Sequence, residues 1–317
     1  MTAGWPSSSG PAAPEDTANA RAARRKSDRD ESFPVASRLL GREIRPVVLA
    51  FYRFARSADD IADDPARDRP TALADLGRIE QALRPESDNA GRGDDDPVVA
   101  AGVAAARDFS RLAGERGISD RHARDLLVAF RRDIAGMSYE TWDDLMDYCR
   151  WSAVPVGRFL LDLHGEADGA NREAVDGLCA ALQILNHVQD CAADLRTLGR
   201  VYIPMDLLCA HGAAIPALRS DRCSVPLRMA LNACLDGAAD LLGGARNAPS
   251  PIAHRGLNAQ YRAAIVAGDR LCHRLRHGDP LAARVDLSAL DRVWIGAAGL
   301  AAFVQSSARK VRGHVRP

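Results

Sequence analysis

The sequence predicts an all-α protein. Its periodic runs are dominated by alanine and leucine, both strong helix formers. β-branched stretches are short, and no segment alternates apolar and polar residues with the period of two that a half-buried strand needs. The runs also exceed the usual three helical turns.

Residues 1 to about 30 are rich in Ser, Pro, Ala and Arg without periodicity and read as a disordered tail. Structure is expected to begin at "ESFPVASRLL". In "REIRPVVLAFYRFAR", Pro46 suits a first helical turn, where its missing N–H is no loss. That helix should run to about Asp64 and stop at Pro65. The stretch Arg84–Pro97 has turn formers and no apolar anchor, so it reads as a loop. Further helices are expected at Ala72–Leu83, Pro97–Leu112, Asp120–Ile134, Trp142–Leu163, Arg172–Leu198, Pro226–Leu242, Leu257–Leu275 and Ser288–Val311. Pro155 should kink or break the fourth of these. Ser288 is placed to cap the last.

With 47% apolar residues in 317, a sizeable core can form. Lys+Arg and Asp+Glu number 42 each and aromatics are 5%, so neither a basic field nor a stacking platform for nucleic acid is present. Seven cysteines without a CxxC argue against a disulfide framework or structural zinc, and favour a reducing cytoplasm. No signal-peptide h-region is seen at the N-terminus. The 12-residue run "VWIGAAGLAAFV", Val293 to Val304, is too short to span a bilayer and reads as a buried helix.

Two acidic stretches carry the chemistry. "SADDIADDP" ends the first long helix. At about 100° per residue, Tyr52, Arg56, Asp59 and Asp63 fall within roughly one sixth of the circumference. Asp60 lies at the edge of that stripe and Asp64 further round, as a solvated residue. Asp59 and Asp63 repel at i,i+4 and oppose the helix dipole. A run of this kind is often only a solvated face, but a multivalent cation would remove the repulsion. Carboxylate oxygens without His or Cys suit Mg²⁺, which keeps waters and bridges to phosphates.

The second stretch is "QILNHVQDCAADLRTLGRVYIP". Gln183, Asn186, His187, Asp190 and Asp194 share roughly a quarter of the helix circumference. Asp190 and Asp194 again stand at i,i+4, now inside an apolar helix, which reads as the wall of a polar cavity. His187 is read as a core or surface histidine without metal. Arg200 and Tyr202 follow closely, and arginine suits phosphate oxygens. Two facing DxxxD pairs would hold Mg²⁺ and clamp a diphosphate, neutralising it as a C–O bond breaks. The apolar helix faces would hold a hydrocarbon tail and shield a carbocation from water.

These stretches, with "ESFPVA", "FYRFARSADDIADD" and "YCRWSAVPVGR", resemble the squalene/phytoene synthases, head-to-head isoprenoid synthases, over about residues 31 to 305. The resemblance implies one isoprenoid-synthase-type helical bundle with a central cavity, spanning 31–311. It implies that Asp59, Asp63, Asp190 and Asp194 hold Mg²⁺ and are catalytic with Tyr52 and Arg56. It further places Ser32, Phe33, Arg56, Gln183, Asn186, Arg200 and Tyr202 along the substrate.

The wording "FPVAS" and "LNHVQDCAADLRTLGRVYIP" is similar to the hopanoid-pathway branch of the family. There Gln precedes the first aspartate of the second motif, as Gln189 does here, where the wider family more often has Arg. Arg150 and Trp151 stand where relatives making squalene or phytoene tend to have Tyr and Gly. Val154 stands where the hopanoid branch is expected to have Asn.

The implied reaction converts presqualene diphosphate and water to hydroxysqualene and diphosphate, with Mg²⁺ and without NADPH. The alternative is condensation of two farnesyl or geranylgeranyl diphosphates to presqualene diphosphate, dehydrosqualene or phytoene. A non-catalytic helical scaffold is disfavoured because both DxxxD pairs are complete. Expected partners are a prenyl diphosphate substrate, a transiently contacted inner membrane, and the enzymes that make presqualene diphosphate and reduce hydroxysqualene. Tyr148, Arg150 and Arg158 are candidates for directing water, each equally well read as packed or surface residues. Asp133 and Tyr139 are placed at the pocket mouth without a catalytic role.

Overall fold

The computed structural model describes residues 41–84, 96–248 and 252–313. Among them are eleven α-helices, one short 3-10 helix and no strand. The predicted tail, "ESFPVASRLL" with Ser32 and Phe33, and most of the loop after Arg84 lie outside the described residues.

Helix α1 (Arg45–Ala62) carries Pro46 in its first turn, as expected. Its apolar face buries Val47, Val48, Phe51, Phe54, Ala58 and Ile61. The helices α2 (Arg69–Ala82), α3 (Pro97–Gly114) and α4 (Arg121–Ala135) follow. α1 packs on both α3 and α4. Phe51 stacks on Phe159 with ring centroids 4.3 Å apart and lies 5.2 Å from Phe109, so one aromatic core anchors α1. With that face fixed, the stripe of Tyr52, Arg56 and Asp59 is left half-buried on another side.

α1 ends at Ala62 with Asp63 as its cap, two residues before the expected end. Pro65 disfavours the helical conformation at the residue before it. Asp64 instead builds a turn: its carboxylate accepts the Ala66 N–H at 3.0 Å and its carbonyl accepts the Arg67 N–H at 3.1 Å. Arg67 is nearly buried and pairs with Asp64, Asp75 and Asp96. Asp64 therefore belongs to an ion-pair cluster and is not the solvated residue expected.

The run from Trp142 divides at Pro155, as expected, into α5 (Trp142–Ser152) and α6 (Val154–His164). The break sits at Ala153 (φ −122°, ψ −43°), and Pro155 occupies the first turn of α6. α7 (Gly169–Thr197) is the longest helix with side chains described throughout, capped by the Asp168 carboxylate, which accepts the Asn171 N–H at 2.7 Å. α6 crosses α7 closely at Gly157, where a Cβ would lie 2.6 Å from Cys179 Sγ.

Short elements missed by sequence follow: α8 (Met205–Ala210) and the 3-10 turn Ile215–Arg219. α9 (Val225–Arg246) and α10 (Arg255–His277) both pack on α7. α11 (Ala289–Gly313) starts as expected at Ser288, whose hydroxyl accepts the Asp291 N–H at 3.2 Å. Asp291 returns the bond to the Ser288 N–H at 2.9 Å, completing a reciprocal cap.

The run Val293–Val304 is helical, but it is not the buried helix expected. α11 packs chiefly on α10 through Asp291, Gly299 and Ala302. Its other side leaves Leu290, Val293, Trp294, Leu300 and Val304 more than half exposed. Among the described residues its main packing partner is α10, which leaves that face uncovered by them.

Candidate active site

The ends of α1 and α7 meet. Gly199 (φ +67°) turns the chain after α7 in the left-handed region that glycine tolerates. The Arg200 N–H then donates to the Asp194 carbonyl at 3.3 Å, tying Arg200 to the last turn of the second acidic motif. Its guanidinium reaches the first motif, donating to the Asp63 carboxylate and to the Ala62 carbonyl at 2.6 Å. One residue therefore joins the two acidic stretches.

Around that link stands an acidic and phenolic cluster. Asp133, in the last turn of α4, accepts the Tyr148 hydroxyl at 2.8 Å and the Tyr202 hydroxyl at 2.9 Å. Burial pushes the Asp133 carboxyl up to about 6, against the pull of Arg200 and the two hydroxyls. Asp59 is also raised well above the usual carboxylate range, by burial first and by Asp63 second, with Arg56 opposing. Its side chain keeps 41% of its surface open, so solvent screens part of that shift. Arg56 lies 3.5 Å from Asp59 and 2.8 Å from the exposed Asp60.

His187 is a core residue, as expected. It stacks on Tyr202 with centroids 3.9 Å apart at 14°. Burial drives its imidazole down to about 3, so it is neutral near pH 7. Tyr139 stacks on the same Tyr202 at 5.8 Å.

Along α7, Gln183, Asn186, Asp190 and Asp194 are half-buried between neighbours that are mostly buried. That pattern fits a polar stripe along a recess. Asp190 pairs with Arg284, from the segment between α10 and α11. Gln189 beside it is buried and bonds the same segment through the Val285 carbonyl at 2.7 Å.

Sequence reasoning underrated Asp133. It follows Leu126 and Ala129 on the buried stripe of α4, and an acid in a core-facing register was the available signal. Tyr148 belongs to the site. Arg158 does not: it pairs with Asp176 at 2.5 Å. Arg150 is mostly exposed and pairs with Asp147 at 3.2 Å. Among the described residues, no three His, Cys, Asp or Glu side chains form a ready-made metal cage.

The chain matches the family model described as squalene/phytoene synthase over residues 26–291. It is 42% identical over 268 residues to the hydroxysqualene synthase of Rhodopseudomonas palustris, covering 84% of this chain and 87% of that protein. It is 39% identical over 285 residues to the hydroxysqualene synthase of Sinorhizobium fredii, covering 90% and 92%. Among solved structures it resembles the squalene synthase HpnC of Alicyclobacillus acidocaldarius, at 29% identity and a TM-score of 0.66, covering 84% and 96%. Fold, site composition and sequence agree: this chain is an enzyme of the squalene/phytoene synthase family.

Proposed function

We propose that this enzyme converts presqualene diphosphate and water to hydroxysqualene and diphosphate, a step towards squalene and hopanoids. The observation that carries the diphosphate reading is Arg200, fixed to the second acidic motif and paired with the first. The names of the relatives at 42% and 39% identity favour hydroxysqualene as the product.

Asp59, Asp63, Asp190 and Asp194 would hold Mg²⁺. The all-oxygen donor set fits that ion, and so does the raised Asp59 carboxyl, since a cation beside it relieves the Asp63 repulsion. Mg²⁺ usually takes one or two carboxylates and fills its remaining positions with waters and substrate phosphates. When bound, Mg²⁺ supplies Lewis-acid neutralisation of the leaving diphosphate.

The chain's own groups do the remaining work. Arg56 and Arg200 offer guanidinium groups to anionic oxygen. Asp133 fixes the Tyr148 and Tyr202 hydroxyls, so both phenols stay protonated and oriented. Gln183 and Asn186 can orient a ligand oxygen. The apolar residues around the stripe restrict water, so that capture of the cation is confined to a positioned molecule. No nicotinamide takes part in this reading. Presqualene diphosphate would come from a head-to-head condensing enzyme, and a separate reductase would consume the alcohol.

Among the described residues, no helix is long and apolar enough to cross a membrane. We place the enzyme in the cytoplasm, touching the inner membrane through the outward face of α11. That face sets exposed Leu290, Val293, Trp294, Leu300 and Val304 beside the exposed Arg292, a pairing suited to an anionic bilayer surface. Co-sedimentation with anionic vesicles should be lost in Trp294→Glu/Leu300→Glu, and equal binding by both proteins would refute it.

The reaction itself is tested by turnover of presqualene diphosphate with Mg²⁺ in ¹⁸O-water. The reading expects hydroxysqualene carrying the label. An unlabelled alcohol, or hydrocarbon alone, would contradict water capture.

A further inference from the structure

The segment between α10 and α11 forms a strap over the second acidic helix. It is pinned at both ends. Before it turns, the Asp279 carboxylate accepts the Cys223 and Leu281 N–H groups, each at 3.0 Å, and Arg228 donates to the Gly278 carbonyl at 2.7 Å. Beyond it, the Ser288–Asp291 cap starts α11.

The middle of the strap is held by one side chain. The Gln189 amide donates to the Val285 carbonyl at 2.7 Å and to the Asp286 carboxylate at 3.2 Å. Its oxygen accepts from the Arg284 guanidinium at 3.1 Å. The same guanidinium also donates to Asp286 at 3.1 Å and to Asp190. Gln189 is buried, whereas the Arg284 side chain remains 40% exposed.

A side chain that both donates and accepts is needed for this arrangement. Arginine at 189 has no acceptor for Arg284, and glutamate has no donor for the Val285 carbonyl. Glutamine satisfies both.

We propose that Gln189 is a positioning residue that clasps the 284–286 strap and seats Arg284 on Asp190 as a removable counter-ion. Arg284 neutralises Asp190 while no cation is bound. A divalent ion claiming Asp190 must displace that guanidinium, so metal binding and release of the strap are coupled. The coupling rests on the Mg²⁺ reading of Asp190; the clasp does not.

The test uses the full chain without substrate. Mn²⁺ binding is read by electron paramagnetic resonance, and amide exchange is followed across residues 282–287. In the wild type, Mn²⁺ should speed exchange in the strap. Arg284→Met should bind Mn²⁺ about 5- to 20-fold more tightly, because the competing cation is gone. Gln189→Leu should speed strap exchange without any metal and also tighten Mn²⁺ binding. Tightening separates this role from simple damage, which weakens binding.

Unchanged or weaker Mn²⁺ binding in Arg284→Met would overturn the counter-ion role. Unchanged strap exchange in Gln189→Leu would overturn the clasp. Absence of Mn²⁺ binding in every protein would overturn the metal reading of Asp190 and the coupling together, leaving the clasp to be judged by exchange alone.

Discussion

Arg200 pairs with Asp63 across 137 residues of sequence, while its own backbone N–H is held by the Asp194 carbonyl. The pair locks the end of one acidic helix to the end of the other. It also sets a cation among Asp63, Asp59 and Asp133; burial first, and the Asp63 charge after it, raise the Asp59 and Asp133 carboxyls.

Removing that cation should expose the repulsion. Arg200→Met is expected to lose about 1–3 kcal/mol of stability, below the value for a fully buried pair because Asp63 is partly solvated. Mg²⁺ should restore more of the thermal midpoint in the variant than in the wild type, because it substitutes for the lost charge. Scanning calorimetry with and without Mg²⁺ checks this, and equal shifts would count against it.

The metal reading makes a separate prediction. Asp59→Asn and Asp190→Asn should each abolish turnover and weaken Mn²⁺ binding at least about tenfold, or 1.4 kcal/mol. Far-UV circular dichroism should show full helicity in both. Wild-type turnover in either variant would remove that aspartate from the metal site.

His187 predicts a pH effect. Its folded pKa of about 3 lies below the unfolded value of about 6.5. The unfolded chain therefore binds the extra proton as pH falls, and stability contributed by neutral His187 is lost from about pH 6.5 downward. Between pH 7 and pH 5 this amounts to about 2 kcal/mol. Asp133 acts oppositely: its raised pKa lets the folded state take up a proton near pH 6, which offsets part of the loss. Comparing His187→Phe with wild type by urea unfolding removes the shared Asp133 contribution. The variant should gain about 2 kcal/mol relative to wild type between pH 7 and pH 5. A constant difference would show that His187 titrates normally.

Gly157 predicts a packing effect. Gly157→Ala adds a methyl against Val175 and Cys179 at the α6–α7 crossing. Overpacking should cost about 1–3 kcal/mol, more than the roughly 1 kcal/mol that alanine returns in helix propensity. A urea midpoint at or above wild type would show that the crossing can relax.

The fold was largely legible because helix periodicity and proline placement are local. Pro46 and Pro155 marked a helix start and a break, and Ser288 marked a cap, with no tertiary information needed. What failed was tertiary. The run Val293–Val304 reads as core by composition, yet only contact with α10 decides which side is covered. The acidic stripes were legible because i,i+4 spacing survives in sequence. The role of Asp133 is not local: it comes from Tyr148 and Tyr202, 15 and 69 residues away. Nothing in "AARVDLS" signals that the Arg284 guanidinium meets a carboxylate 94 residues earlier.

The central claim is tested most directly by parallel incubations of the pure enzyme with presqualene diphosphate and with farnesyl diphosphate, each with Mg²⁺ and without NADPH. The account predicts hydroxysqualene from presqualene diphosphate and no product from farnesyl diphosphate. Formation of presqualene diphosphate or dehydrosqualene from farnesyl diphosphate would contradict it and make the chain a condensing synthase.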